Sequence, residues 1–159
     1  MARIAVVTLD GFNEVDSFVA SYVLGRVQQP DWSVAIASPT PKVTSMNGVT
    51  IEAQMSLDDL PQMDAVIVGS GSRTREYAAD PGFLATLRLD PQRQLVGSQC
   101  SGALLLATWY ALHFWIIPED QRFLLPTPGA ILDAMRNHSG ELARAACNTL
   151  SVPLMLVSI

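Results

Sequence analysis

Short apolar runs alternate with amphipathic stretches along most of this chain. Residues 4–9 form a near-continuous apolar run of strand length, and Asp10-Gly11-Phe12-Asn13 then predicts a turn into a helix over residues 14–27. Val15, Phe18, Val19, Tyr22 and Val23 recur at helical spacing, which predicts that this face of the helix is buried. Residues 32–37 alternate as a second strand. Residues 42–45 and 49–53 flank Met46-Asn47-Gly48, where Asn-Gly is a strong hairpin signal. Ser56-Leu57-Asp58-Asp59 reads as the cap of a short helix, residues 65–68 as a third core strand, and residues 69–72 as a glycine-serine loop at its carboxyl end. A helix to residue 79, another over residues 81–89 and a strand over residues 94–97 complete the pattern. Strands alternating with helices predict an α/β fold, a parallel sheet with helices on both faces. In such folds the site lies in the crevice beyond the carboxyl ends of the strands.

The most informative segment follows that last strand. In residues 94–108, QLVGSQCSGALLLAT, one cysteine stands where a buried strand runs into an apolar helix, with Ser98 two positions before it and Gly102 two after. A sharp strand-to-helix turn strains the residue at its apex and tolerates only small neighbours, and the helix start offers unpaired N–H groups that favour a thiolate. This is the pattern of a nucleophile elbow, with Cys100 at the apex. The competing reading is a small buried cysteine packed at the head of a helix. Three pieces converge on the same sheet edge: Cys100, the loop 69–72, and the first turn of the first helix with Glu14 and Asp16.

Composition narrows the function classes. A net charge of −5, ten Lys+Arg residues of which only Lys42 is lysine, and no basic cluster argue against a nucleic-acid partner. Two distant cysteines, Cys100 and Cys147, do not form the framework of a small secreted protein, and no signal peptide is read at the start, so a reducing cytoplasm is expected. The most apolar stretch, residues 103–117, stops at Pro118, short of the roughly 20 residues that a membrane span requires. It is expected to be core helix. His113 and His138 have no second histidine or cysteine at ligand spacing, so no structural zinc site is expected. His113 is expected to pack in the core, and so is Cys147 on a helix over residues 141–149. Arg73 and Arg75 border the loop and are candidates to steer an anionic substrate.

The order DGFNEVDSF helix, NG hairpin, DAVIVGSGS loop and VGSQCSGALLLA elbow resembles the ThiJ/PfpI superfamily, on the class I glutamine amidotransferase-like, flavodoxin-type fold. Within it the pattern is most similar to the isonitrile hydratase branch, and the resemblance runs from residue 1 to about residue 108. It implies a cysteine nucleophile at the elbow facing an acid from the first helix, with backbone N–H groups stabilising the developing anion. By position, Cys100 would be the nucleophile and Asp16 the acid, with Glu14 as the competing acid. Gly71 and Ser101 would be the oxyanion donors, and Ser70 stands where the family usually has the first of two loop glycines. Peptidase-like members carry histidine where this chain has Ser101, which argues against that activity. A carboxyl group beside a thiolate must share one proton with it, so Asp16 is expected to donate to Cys100.

The resemblance implies addition of water to an isonitrile, a homodimer, and no cofactor. Glyoxalase or deglycase action on reactive carbonyls, and a non-enzymatic redox sensor or ligand-binding domain, remain as alternatives. Residues 1–159 are expected to form a single domain. After residue 108 the usual late motifs of the family are not recognisable. Residues 130–136 and 141–149 have helical periodicity, and residues 151–159 read as a final strand that Pro153 would confine to an edge.

Overall fold

The computed structural model describes residues 2–114. Cys147, His138, and the helices and strand expected after residue 114 therefore lie outside the described residues. The hub is β1 (Ala2–Val7), followed by α1 (Glu14–Gly25), β2 (Trp32–Ser38), the hairpin β3 (Lys42–Thr44) and β4 (Thr50–Glu52), and β5 (Met55–Ser56). A 3-10 turn over Leu57–Gln62 leads to β6 (Ala65–Val68), then come α2 (Thr74–Ala78), α3 (Pro81–Thr86), β7 (Leu95–Ser98) and α4 (Gly102–Phe114).

Five strands form one sheet in the order β5-β2-β1-β6-β7, and every pairing in it is parallel. The chain first moves outward on one side of β1 and then on the other. The loops after β1 and β6 therefore diverge at the carboxyl edge, and a crevice opens between them. Ala5 and Val7 of β1, Val66 and Val68 of β6, and Val96 of β7 face α3 and α4, where Phe83, Leu84, Leu105 and Trp109 complete the core. The indole N–H of Trp109 donates to Leu87 O at 2.7 Å, which pins α4 to the end of α3.

Several expectations are corrected here. The face of α1 that carries Val15, Phe18, Val19, Tyr22 and Val23 is exposed, and the buried residues of that helix are Ser17 and Ala20. The reason is closeness: Thr8 Oγ1 donates to Ser17 Oγ at 3.2 Å, a distance at which only small residues fit between helix and sheet. α1 ends at Gly25 and α3 at Thr86, both short of the expected limits. The capped helix after Ser56 is a 3-10 turn with Pro61 inside it, although the Ser56–Asp59 capping box forms as expected. β5, an edge strand of two residues, was not anticipated. His113 is exposed and stacked on Trp109, with its Nδ1 2.8 Å from Trp109 O.

Candidate active site

Cys100 has φ 46°, and among the described residues it is the only non-glycine residue with positive φ. A left-handed conformation strains a side chain with a Cβ and persists only where the surroundings dictate it. The surroundings are visible. Gln99 N–H donates to Val68 O at 2.9 Å, so the chain is still held to the neighbouring strand one residue before the apex. Two residues after it, a Cβ on Gly102 would lie 2.4 Å from Val68 O and 2.5 Å from Gly69 O. Only glycine lets the helix start that close to β6. Cys100 is exposed, which disposes of the buried-cysteine reading. The turn's backbone bonds begin with Gly102 N–H to Gln99 O at 2.9 Å, so the N–H groups of Cys100 and Ser101 stand ahead of the helical ladder.

The loop after β6 is sewn to the start of α1. Asn13 caps that helix through its side chain, which accepts from Val15 N–H at 3.0 Å, while its own N–H donates to Ser70 O at 2.9 Å. Ser72 N–H donates to Gly11 O at 2.8 Å. A Cβ at Gly71 would come within 2.4 Å of Gly11 O, so the two segments touch backbone to backbone. This contact brings Ser70 against α1, where its hydroxyl donates to Asp16 Oδ2. The carboxyl group of Asp16 is therefore engaged by Ser70, in place of the expected hydrogen bond to Cys100. Its position beside the Ser17–Ala20 stripe still sets it at the edge of the buried face, by a different stripe from the one the sequence pointed to.

Glu14 is committed elsewhere. Ser45 Oγ donates to its Oε1 at 2.5 Å and Asn47 Nδ2 to its Oε2 at 2.9 Å, so the carboxylate grips the hairpin. The Ser45 hydroxyl first, then the backbone N–H of Glu14 itself and the Asn47 groups, hold its pKa below the usual glutamate value. Of the two acids, Asp16 is the one joined to the strand-end loop.

Gly71 N–H, expected to be an oxyanion donor, meets the hydroxyl of Ser101 at 3.3 Å. Thr74 Oγ1 lies 3.0 Å from the same Ser101 oxygen and donates to Gly71 O at 2.9 Å. Sequence reasoning passed over Thr74. Its only local signal is a threonine three residues after a loop glycine, a spacing at which hydroxyl-to-carbonyl bonds are common. Arg73 is drawn off by Glu76 at 2.7 Å and lies over the Tyr77 ring, so it is not a free anion-steering group. Among the described residues, no cluster of His, Cys, Asp and Glu could hold a metal, and no helix is long and apolar enough to cross a membrane.

A strained, exposed cysteine beyond the carboxyl edge of a parallel sheet, with an acid from the first helix near the neighbouring loop, invites comparison with known proteins. The model of the DJ-1/PfpI family matches residues 2–114. The chain belongs to the DJ-1/PfpI family. The match reaches the end of α4, beyond residue 108 where the recognisable motifs stop. A ThiJ/PfpI family protein from Pseudomonas syringae superposes with a TM-score of 0.59 at 23% identity, over 68% of this chain and 46% of that one. A DJ-1 superfamily protein from Salmonella typhimurium, solved as a cysteine-to-alanine mutant, gives 0.57 at 25% identity, over 71% and 61%. Oxidized DJ-1 of Toxoplasma gondii gives 0.58 at 15% identity, over 96% and 100%. The chain spans about half the length of the Pseudomonas syringae protein. No curated protein sequence matches. These likenesses establish the α/β flavodoxin-like fold of the DJ-1/PfpI superfamily, which includes enzymes.

Proposed function

We propose that this DJ-1/PfpI protein is a cysteine-nucleophile enzyme that adds water to a small electrophilic carbon, with an isonitrile as the favoured substrate. The observation that carries the reading is the exposed, left-handed Cys100 at the head of α4. A nucleophile requires access, which the exposed thiol has, and a helix start is a setting that enzymes use for nucleophilic cysteines.

In the proposed reaction the Cys100 thiolate attacks the terminal carbon of the isonitrile and a C–S bond forms. Asp16 gives its proton to that carbon, leaving a thioimidate. Water then adds across the C=N bond, the nitrogen takes a proton, and the tetrahedral oxygen faces the Gly71 N–H and the Ser101 N–H. Collapse breaks the C–S bond, releases the N-substituted formamide, and returns the thiolate to Cys100 and a proton to Asp16. Overall one water is consumed per isonitrile. Ser70, bound to Asp16, keeps the acid oriented toward the loop. Serine at position 101, in place of the histidine of peptidase-like members, supports hydration over peptide cleavage.

The test is turnover of p-nitrophenyl isocyanide by the full chain. Formamide production should vanish in Cys100→Ala and fall by about 100-fold in Asp16→Asn, the usual scale for loss of a general acid-base group. Turnover of methylglyoxal in its place would transfer the site to the carbonyl reading. Oxidation of Cys100 by peroxide without turnover of either compound would make it a sensor.

A further inference from the structure

Three groups beside the elbow form a closed chain of hydrogen bonds. A hydroxyl has one hydrogen to give, and Thr74 gives its hydrogen to Gly71 O at 2.9 Å. The 3.0 Å contact between the Thr74 and Ser101 oxygens must then be donated by Ser101. With its hydrogen spent, the Ser101 oxygen is only an acceptor, and what it accepts is the Gly71 N–H at 3.3 Å. That last bond is longer than the 2.7–3.2 Å usual for N–H···O, so it is the weakest of the three and the first to open. Thr74 is 6% exposed, so its oxygen has little water to turn to.

We propose that Thr74 is a positioning residue which, by taking the Ser101 hydroxyl hydrogen, makes the Ser101 oxygen a placeholder on the Gly71 N–H. The proposal rests on the reading of Gly71 as an anion donor. In the resting protein the half-buried donor is satisfied and aimed, so this N–H is not left without a partner. When an oxyanion forms on the carbon bound to Cys100, it takes the place of the neutral hydroxyl, because a charged acceptor bonds more strongly. Ser101 stays tethered to Thr74 and the seat remains in shape for the next cycle. Without Thr74 the Ser101 hydroxyl loses its fixed direction, and the Gly71 N–H loses a partner held in place.

The variants are Thr74→Val, which keeps the shape and removes the oxygen, and Thr74→Ser, which restores it. Two readouts are taken on the full chain. In the first, turnover of p-nitrophenyl isocyanide by Thr74→Val should fall about tenfold, mostly in kcat, and Thr74→Ser should recover to within twofold. In the second, which needs no turnover, exchange of the Gly71 amide hydrogen followed by NMR should accelerate at least fivefold in Thr74→Val and stay at the wild-type rate in Thr74→Ser. Unchanged Gly71 exchange in Thr74→Val overturns the proposal. Faster exchange at all amides together also overturns it, since that marks a structural role. A wild type that turns over neither isocyanide nor methylglyoxal defeats the enzyme reading, and the Gly71 exchange then decides the role of Thr74 alone.

Discussion

At the scale of single residues, the site is built from conformations that a sequence seldom favours and that its neighbours impose. Cys100 holds a left-handed φ of 46° because the strand behind it and Gly102 ahead of it leave no other path. That strain is testable without any substrate. Cys100→Gly should raise the unfolding free energy by about 0.5–1 kcal/mol, since a left-handed residue loses its Cβ penalty and only part of the gain is offset by greater freedom of the unfolded chain. Cys100→Val should lower it by about 1 kcal/mol or more, because β-branching worsens the same clash. Denaturant melts of the two variants beside wild type measure the difference. Equal stabilities would mean that the apex is not strained. The cysteine was legible in the sequence because small residues and apolar runs bracket it. Thr74 was not, since its role depends on an oxygen 27 positions away in sequence and 3.0 Å away in space.

At the scale of elements, the hairpin and the first helix are coupled through one carboxylate. Ser45 and Asn47 bond the ionised form of Glu14, so its folded pKa lies below its unfolded value. The sign follows from linkage: the coupling is complete above the ordinary glutamate value of 4.5 and is lost as pH falls through the lowered folded value. In an acid titration by NMR, the side-chain amide signals of Asn47 should therefore hold steady down to about pH 4.5 and move below it. In Glu14→Gln they should stay flat across the same range. Movement in the variant as well would assign the effect to another group. The hairpin was evident from Asn-Gly, whereas its hold on the helix was hidden because Ser45 and Glu14 are 31 residues apart. Helix lengths were misjudged for a related reason: periodicity continues past the point where backbone hydrogen bonds stop.

At the scale of the whole molecule, the parallel sheet was readable from alternation alone, because strand and helix periods differ and strands joined through helices pair in parallel. The polarity of α1 was not. Five large apolar side chains at helical spacing ordinarily mark the inward face, yet here Ser17 and Ala20 face the sheet because the backbone approaches too closely for anything larger. Val19, 49% exposed, should thus accept glutamate at a cost within about 0.5 kcal/mol, as surface positions usually do. A loss of several kcal/mol in a urea melt would show that something covers this face in solution. The uniform direction of the sheet also has a practical side. Cys100 stands past the carboxyl ends of the strands, and Ala2 begins the central one at the opposite end. Six residues of strand separate the two ends by about 20 Å. An affinity handle or surface tether joined ahead of Ala2 would hold the protein with the exposed Cys100 at the end of the sheet away from the support.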